Sequence, residues 1–364
     1  MIRRLFITLP LIVASLTCFA QSTQKLTATK VSEYGLIYAL PSTVIDVTVE
    51  TQLTVKQPGE YYRYANKYLG IDPITEPSSV YTLKSVIVSP RAVSDPDERY
   101  LVQFKAGTSP FMIVSDINLP LAINTDRTIS ISAPALPAAK EAAPTILEMP
   151  VATQAITAEM LQSQSSVKKA ELAAQRIMEL RQSRSEIISG TAENMPSDGQ
   201  AMKLALDNLS AQEEALTAMF AGTEQSSTQV KTFTIELPDS LATDHWDIIV
   251  ARLSALDGLV ATDDLTGDPI RLNLDMRKRA QLPSNEKGET KRFPKGGLAY
   301  RIPSTAIVTT DFMGSQMSND EIDIAQYGVT FGLDPALFTD KKAPAYAIFN
   351  PLTGALVEIG TTQP

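Results

Sequence analysis

Two periodicities run along this chain, and they occupy different stretches. Over 44–55, Ile45, Val47, Val49, Leu53 and Val55 fall on one face of an extended chain. Asp46, Thr48, Glu50, Gln52 and Lys56 fall on the other. Alternation of period two predicts a strand with one buried and one wet face. Residues 31–40 read as a preceding strand, with Pro41 marking a bend between the two. Strand-like runs follow at 80–88, 99–104, 111–114 and 117–123. They return at 233–237, 246–253, 270–276, 298–309, 327–331, 346–349 and 355–359, with a hairpin turn at Pro351-Leu352-Thr353-Gly354.

The second periodicity is helical. Residues 59–69 place Tyr61, Ala65, Tyr68 and Leu69 on one side, and Gly70 stands where a helix stops. Val167, Ala170, Ala174, Ile177, Leu180 and Ile187 recur at helical spacing, as do Met202, Leu206, Leu209, Leu216 and Phe220. This predicts antiparallel helices over 167–188 and 199–221, joined by a loop rich in turn residues and ended by Gly222. An earlier start near Thr157 is interrupted by Ser163-Gln164-Ser165-Ser166. In register across the hairpin, Arg176 is expected near Glu213 or Glu214.

Two nine-residue stretches echo each other. GLIYALPST at 35–43 and GLAYRIPST at 297–305 share six positions, and each precedes an alternating strand. Tyr100 to Phe104 and Tyr346 to Phe349 form a weaker second echo. We therefore expect an α+β fold: two duplicated β-rich units of antiparallel sheet with an inserted antiparallel helical hairpin. The expected division is a signal peptide at 1–20, a β-rich unit at 21–131, a linker at 132–150, the helical hairpin at 151–222 and a second β-rich unit at 223–364. Four prolines and six alanines within 132–150 leave no room for a regular strand or long helix.

Composition narrows the function classes. The chain has 364 residues, one Cys and one His, which excludes zinc fingers, iron–sulfur clusters and multi-histidine metal sites. Arg3 and Arg4 precede an apolar run from Leu5 to Leu16, and Cys18-Phe19-Ala20 supplies small residues for cleavage, so 1–20 reads as an export signal. Its removal leaves no cysteine and 30 basic against 41 acidic side chains, a net of −11. That balance argues against nucleic acid, and no later stretch reads as a membrane span.

Candidate chemistry is sparse. His245 lies in Asp244-His245-Trp246-Asp247, but no G-x-S-x-G elbow supplies a nucleophile. Asp257, Asp263, Asp264 and Asp268 crowd one region without EF-hand spacing and serve equally as turn residues. Ser318 and Glu321 have capping-box spacing. No metal and no cofactor is expected, and no catalytic residue is assigned. Tyr61 and Tyr64, within a cluster of tyrosines at helical spacing, are candidates to stack a sugar or peptide. Residues 277–297 hold seven cations: Arg277, Lys278, Arg279, Lys287, Lys291, Arg292 and Lys295. Against Glu286 and Glu289 the net is +5, expected to be a loop that receives an anionic glycan or lipid headgroup.

GLIYALPST, GEYYRYANKYLG, LAYRIPST, AQYG and the closing NPLTGALVEI resemble the domain of unknown function family 4831. The resemblance covers about residues 31 to 360. It implies an exported protein of Bacteroidetes in a Gram-negative envelope, periplasmic or outer-membrane-associated, and supplies no activity, substrate or cofactor. Tyr38, Pro41, Tyr64, Ala65, Tyr68, Gly70, Tyr300, Arg301, Pro303, Gln326 and Gly328 match motif positions. Tyr38, Pro41, Tyr300, Arg301 and Pro303 are expected to be structural. Asp239-Ser240-Leu241 resembles the three-residue O-glycosylation signal of such exported proteins, with Ser240 as acceptor. The expected role is non-enzymatic: binding or assembly in the cell envelope, with a protein partner on the helical hairpin. The alternatives are a carboxylate-dependent glycan hydrolase and a glycan-binding module.

Overall fold

Two very long strands set the architecture. A computed structural model describes residues 22–25, 35–103, 110–131, 155–195, 199–340 and 343–361. The leader at 1–20 and the proline-rich stretch at 132–150 lie outside the described residues. In chain order the strands are β1 (Ser22–Lys25), β2 (Leu36–Gln57), β3 (Ser78–Gln103), β4 (Met112–Val114), β5 (Pro120–Ile123), β6 (Thr223–Glu236), β7 (His245–Ser254), β8 (Gly258–Val260), β9 (Asp268–Lys278), β10 (Leu298–Phe312), β11 (Ser315–Leu333), β12 (Ala345–Phe349) and β13 (Leu356–Thr361). The α-helices are α1 (Ala65–Leu69), α2 (Ala158–Gln162), α3 (Ser166–Ser189) and α4 (Gly199–Ala221). The fold is α+β, with antiparallel sheets.

The strands make three sheets, ordered β1-β3-β2-β6, β11-β10-β9-β7-β8 and β13-β12-β5-β4. The first two pack face to face. Ile45, Val47 and Val49 of β2 and Val86 and Val88 of β3 meet Ile270, Leu272 and Leu274 of β9 and Val308 of β10 in one buried cluster. These are the odd-numbered residues of the β2 alternation, so the pleat puts the apolar half of the pattern into the core. The third sheet covers a second cluster, built on Tyr38, Tyr100, Tyr300, Phe331 and Phe349.

Pro41 does not divide two strands. β2 runs through it, and the pairing with β3 shifts register between Ala39 and Pro41. Proline lacks the N–H that a ladder needs, and a bulge is one place where a sheet tolerates it. Likewise 80–88 and the described part of 99–104, up to Gln103, are parts of the one strand β3. Pro303 sits in the same way: the β10–β11 register shifts between Ile302 and Ser304. The strands cross near these prolines. The Thr43 N–H donates to Gln326 Oε1 at 2.8 Å, and Gln326 Nε2 donates back to the Thr43 carbonyl at 2.9 Å.

The tyrosines of the two echoed stretches take matching places. Tyr38 pairs with Tyr100, their rings 5.6 Å apart, and Tyr300 pairs with Phe331. The second echo does not hold, since Tyr346 lies in β12 opposite Gly360. Nor does Ser318-Asn319-Asp320-Glu321 cap a helix. It lies inside β11, where cross-strand pairing outweighs a local capping pattern. The sheets also mix distant stretches, because β6 pairs with β2 along its length.

The helices have their own core. Ala170, Ala173, Ile177 and Leu180 of α3, Leu216 and Phe220 of α4, Met160 of α2, and Tyr61 and Ala65 form a third cluster without any strand residue. Thr157 and Ser165 cap α2 and α3, which is why the serine-rich break separates the two helices. Glu213 pairs with Arg181 at 2.7 Å and Arg184 at 2.6 Å, whereas Arg176 pairs with Glu179 on its own helix at 3.0 Å. The expected Arg176 contact is therefore displaced to cations farther along α3. No described helix is long and apolar enough to cross a membrane.

Candidate binding groove

The segment 59–74 is strapped to the end of α4. The last carbonyls of a helix have no partner inside it. Here Gly222 N–H serves Ala218 at 2.9 Å, Tyr61 N–H serves Met219 at 2.7 Å and Ile74 N–H serves Ala221 at 2.8 Å. This strap carries a 3-10 turn at Tyr62–Tyr64 and then α1, which Gly70 ends in a left-handed conformation at φ 64°.

The strap decides the fate of the tyrosines. Tyr61 is buried, with its ring 5.5 Å from that of Phe220. Burial, reinforced by the charge of Glu60, pushes its hydroxyl up to about 12. Tyr61 therefore packs in the helical core and does not line the groove described next. Tyr64 and Tyr68 are half-buried, with rings 6.2 Å apart, and the Lys67 ammonium lies 5.0 Å from the Tyr68 ring centre.

Tyr68 lines a groove against α3. While one stripe of α3 is buried, another carries Glu171, Gln175, Met178 and Gln182, at spacings of four, three and four. Helical geometry lines these up on one flank. With Tyr68 and Glu179 they bound a shallow groove of about 490 Å³, with the buried Ala174 also in its lining. Met178 is 48% exposed there. Glu171 and Glu179 are held by Lys168 and Arg176 at 3.1 and 3.0 Å. Eight residues of helix rise, about 12 Å, separate the two acids. Paired carboxylates in glycoside hydrolysis work at about 5–9.5 Å. The groove therefore offers a ring, a thioether and a row of amides and carboxylates.

Sequence reasoning missed Gln175, Met178 and Gln182. Their signal is a second heptad-like stripe beside the apolar one, which becomes meaningful only once Tyr68 is placed next to it.

The basic run lies elsewhere. Arg277 and Lys278 end strand β9, so the loop starts later than expected. Arg277 pairs with Glu321 at 3.2 Å and Arg279 with Asp244 at 2.6 Å. Lys278, Lys291, Arg292 and Lys295 are exposed. The structure does not bring this run and the tyrosines into one site. Ser240 is exposed between β6 and β7. His245 Nδ1 lies 2.7 Å from Asp275 on the exposed face of the second sheet. Asp257 accepts from Ser254 and Asp264 from Thr266, both turn contacts. Among the described residues no group of three or more His, Cys, Asp or Glu is placed to hold a metal ion.

Of the motif residues, Tyr64, Ala65, Tyr68 and Gly70 lie in the strap, whereas Tyr38, Pro41, Tyr300, Arg301 and Pro303 gather where β2 and β10 cross. Tyr38 is fully buried, its hydroxyl donates to the Ala299 carbonyl at 3.1 Å, and burial raises its pKa well above normal. Arg301 is buried, pairs with Asp95 and donates to the Ala325 carbonyl at 3.3 Å. The profile of the family described as Domain of unknown function (DUF4831) matches residues 34–357. The chain belongs to this DUF4831 family. Its matched span takes in both long hairpins and the helices, so the crossing and the groove both belong to the DUF4831 region. No curated protein and no solved structure matched the chain.

Proposed function

We propose that this is a non-enzymatic binding protein of the cell envelope and that the flank of α3 facing Tyr68 is its binding face. The observation that carries the reading is the division of labour on α3. Its inner stripe is satisfied by α2, α4 and the strap, so the exposed Met178 and its polar neighbours are not required by the hairpin's own core. The groove is within the about 300–1,000 Å³ usual for ligand sites. The envelope setting rests on residues 1–20. Export predicts a mature chain that begins at Gln21, read as the N-terminal mass of the protein recovered from the envelope.

The test is a Tyr68→Ala/Met178→Glu double variant compared with wild type by crosslinking and mass spectrometry in the native envelope. Both side chains lie outside the fully buried core, so the variant keeps its fold. Loss of a specific crosslinked species is expected, and an unchanged crosslink pattern would overturn the reading.

We also propose that the two long hairpins descend from one duplicated unit. Each has a proline at its register shift and an aromatic residue opposite the motif tyrosine. In each, the residue after that tyrosine donates its N–H to a turn of the third sheet: Ala39 to Asn118 at 2.9 Å, and Arg301 to Gly354 at 3.3 Å. β6 flanks β2 as β9 flanks β10.

A further inference from the structure

The segment 279–297, which joins β9 to β10, is shaped by its own hydrogen bonds. Asn285 Oδ1 accepts from the N–H groups of Lys287 and Glu289 at 3.0 and 2.9 Å. The Asn285 N–H donates to the Glu289 carbonyl and the Lys291 N–H to the Pro283 carbonyl, both at 2.8 Å. Ser284 bridges Thr290. The result is a small hairpin with a tight tip. Phe293 fixes its return, packing edge-on against Phe331 with ring centres 6.1 Å apart.

This hairpin sorts the cations. Arg277 and Arg279 are neutralised by Glu321 and Asp244. Lys287, Lys291, Arg292 and Lys295 remain exposed, with no carboxylate of the described residues in an ion pair with them. Among them stand two exposed apolar side chains, Leu282 at 43% and Phe293 at 47%.

We propose that this loop docks on an anionic lipid surface. The headgroup phosphates take Lys287, Lys291, Arg292 and Lys295, and the interfacial layer takes Leu282 and the open edge of Phe293. Each cation facing such a surface strengthens binding about fivefold. The net charge of −11 without the leader does not forbid it. Screening over about 8 Å at physiological salt leaves only the charges that face the surface to decide the contact. The apolar pair favours lipid over an acidic polysaccharide, which would use the cations and give Leu282 and Phe293 nothing to enter.

The test is co-sedimentation of the chain from Gln21 onward with phosphatidylcholine vesicles, with and without phosphatidylglycerol. Salt-sensitive binding to the phosphatidylglycerol vesicles is expected. A Lys287→Ala/Lys291→Ala/Arg292→Ala variant should bind about a hundredfold more weakly. Leu282→Ser should weaken binding without changing its salt dependence, because it removes apolar contact and no charge. Tyr68→Ala/Met178→Glu should bind as wild type, which keeps this result separate from that of the groove. Equal binding to both vesicles, or wild-type affinity in the triple variant, would overturn the proposal. So would capture by a soluble acidic polysaccharide with no vesicle binding.

Discussion

Gly328 has no room for a methyl group. A Cβ there would lie 2.1 Å from the Ile302 carbonyl oxygen, and at Gly59 it would lie 2.3 Å from that of Met219. Both obstacles are backbone, so neither can swing aside. Gly328→Ala should lower stability by about 1–3 kcal/mol in urea unfolding, and a wild-type midpoint would contradict this close approach. Asp46 makes a second prediction. A hydrogen bond from Arg91 Nε at 2.6 Å, helped by Thr234 and opposed by burial, holds its carboxyl below the ordinary value of 3.8. A depressed folded pKa contributes stability above the unfolded value and loses it as pH falls through the folded one. Stability should therefore drop as pH falls below about 4, and Asp46→Asn should remove part of that drop. An identical acid profile in the variant would contradict the assignment. At this scale the sequence was informative about type more than contact. The motif singled out Tyr38 and Arg301, but the half-buried partner of Arg301, Asp95, lies 206 residues away.

The helical hairpin is an element with a core of its own, and this has an energetic consequence. Ile177→Ala should cost about 2–5 kcal/mol, most of it felt locally. Amide exchange in α3 and α4 should rise while β2 and β10 keep their protection, since no strand residue shares that cluster. Equal acceleration in all four would mean that the hairpin and sandwich unfold together. Helix positions were legible because helical periodicity and caps are local signals. The expected 167–188 and 199–221 compare with Ser166–Ser189 and Gly199–Ala221. Strand continuity was not legible, because a bulge lets β2 run through Pro41 and no local rule announces which prolines a bulge will absorb. The Ser318–Glu321 pattern misled for the opposite reason: its capping spacing is local, and the pairing of β11 with β10 is not.

For the whole molecule, the decisive contacts are long-range. β6 reaches back to β2, and the groove exists because the strap at 59–74 brings Tyr68 against α3, some hundred residues later in sequence. Alternation and periodicity reveal which face is apolar, not which distant element will cover it. The α3 flank, and not the sandwich, is the face proposed above to meet a partner. The direct measurement is a photo-crosslinker placed at Gln175 on that flank, compared with one at Asp323 on the exposed face of the second sheet, both in the native envelope. A specific product is expected from Gln175 that disappears in the Tyr68→Ala/Met178→Glu background, with no such product from Asp323. A product from Asp323 alone, or one from Gln175 that survives the double substitution, would contradict it.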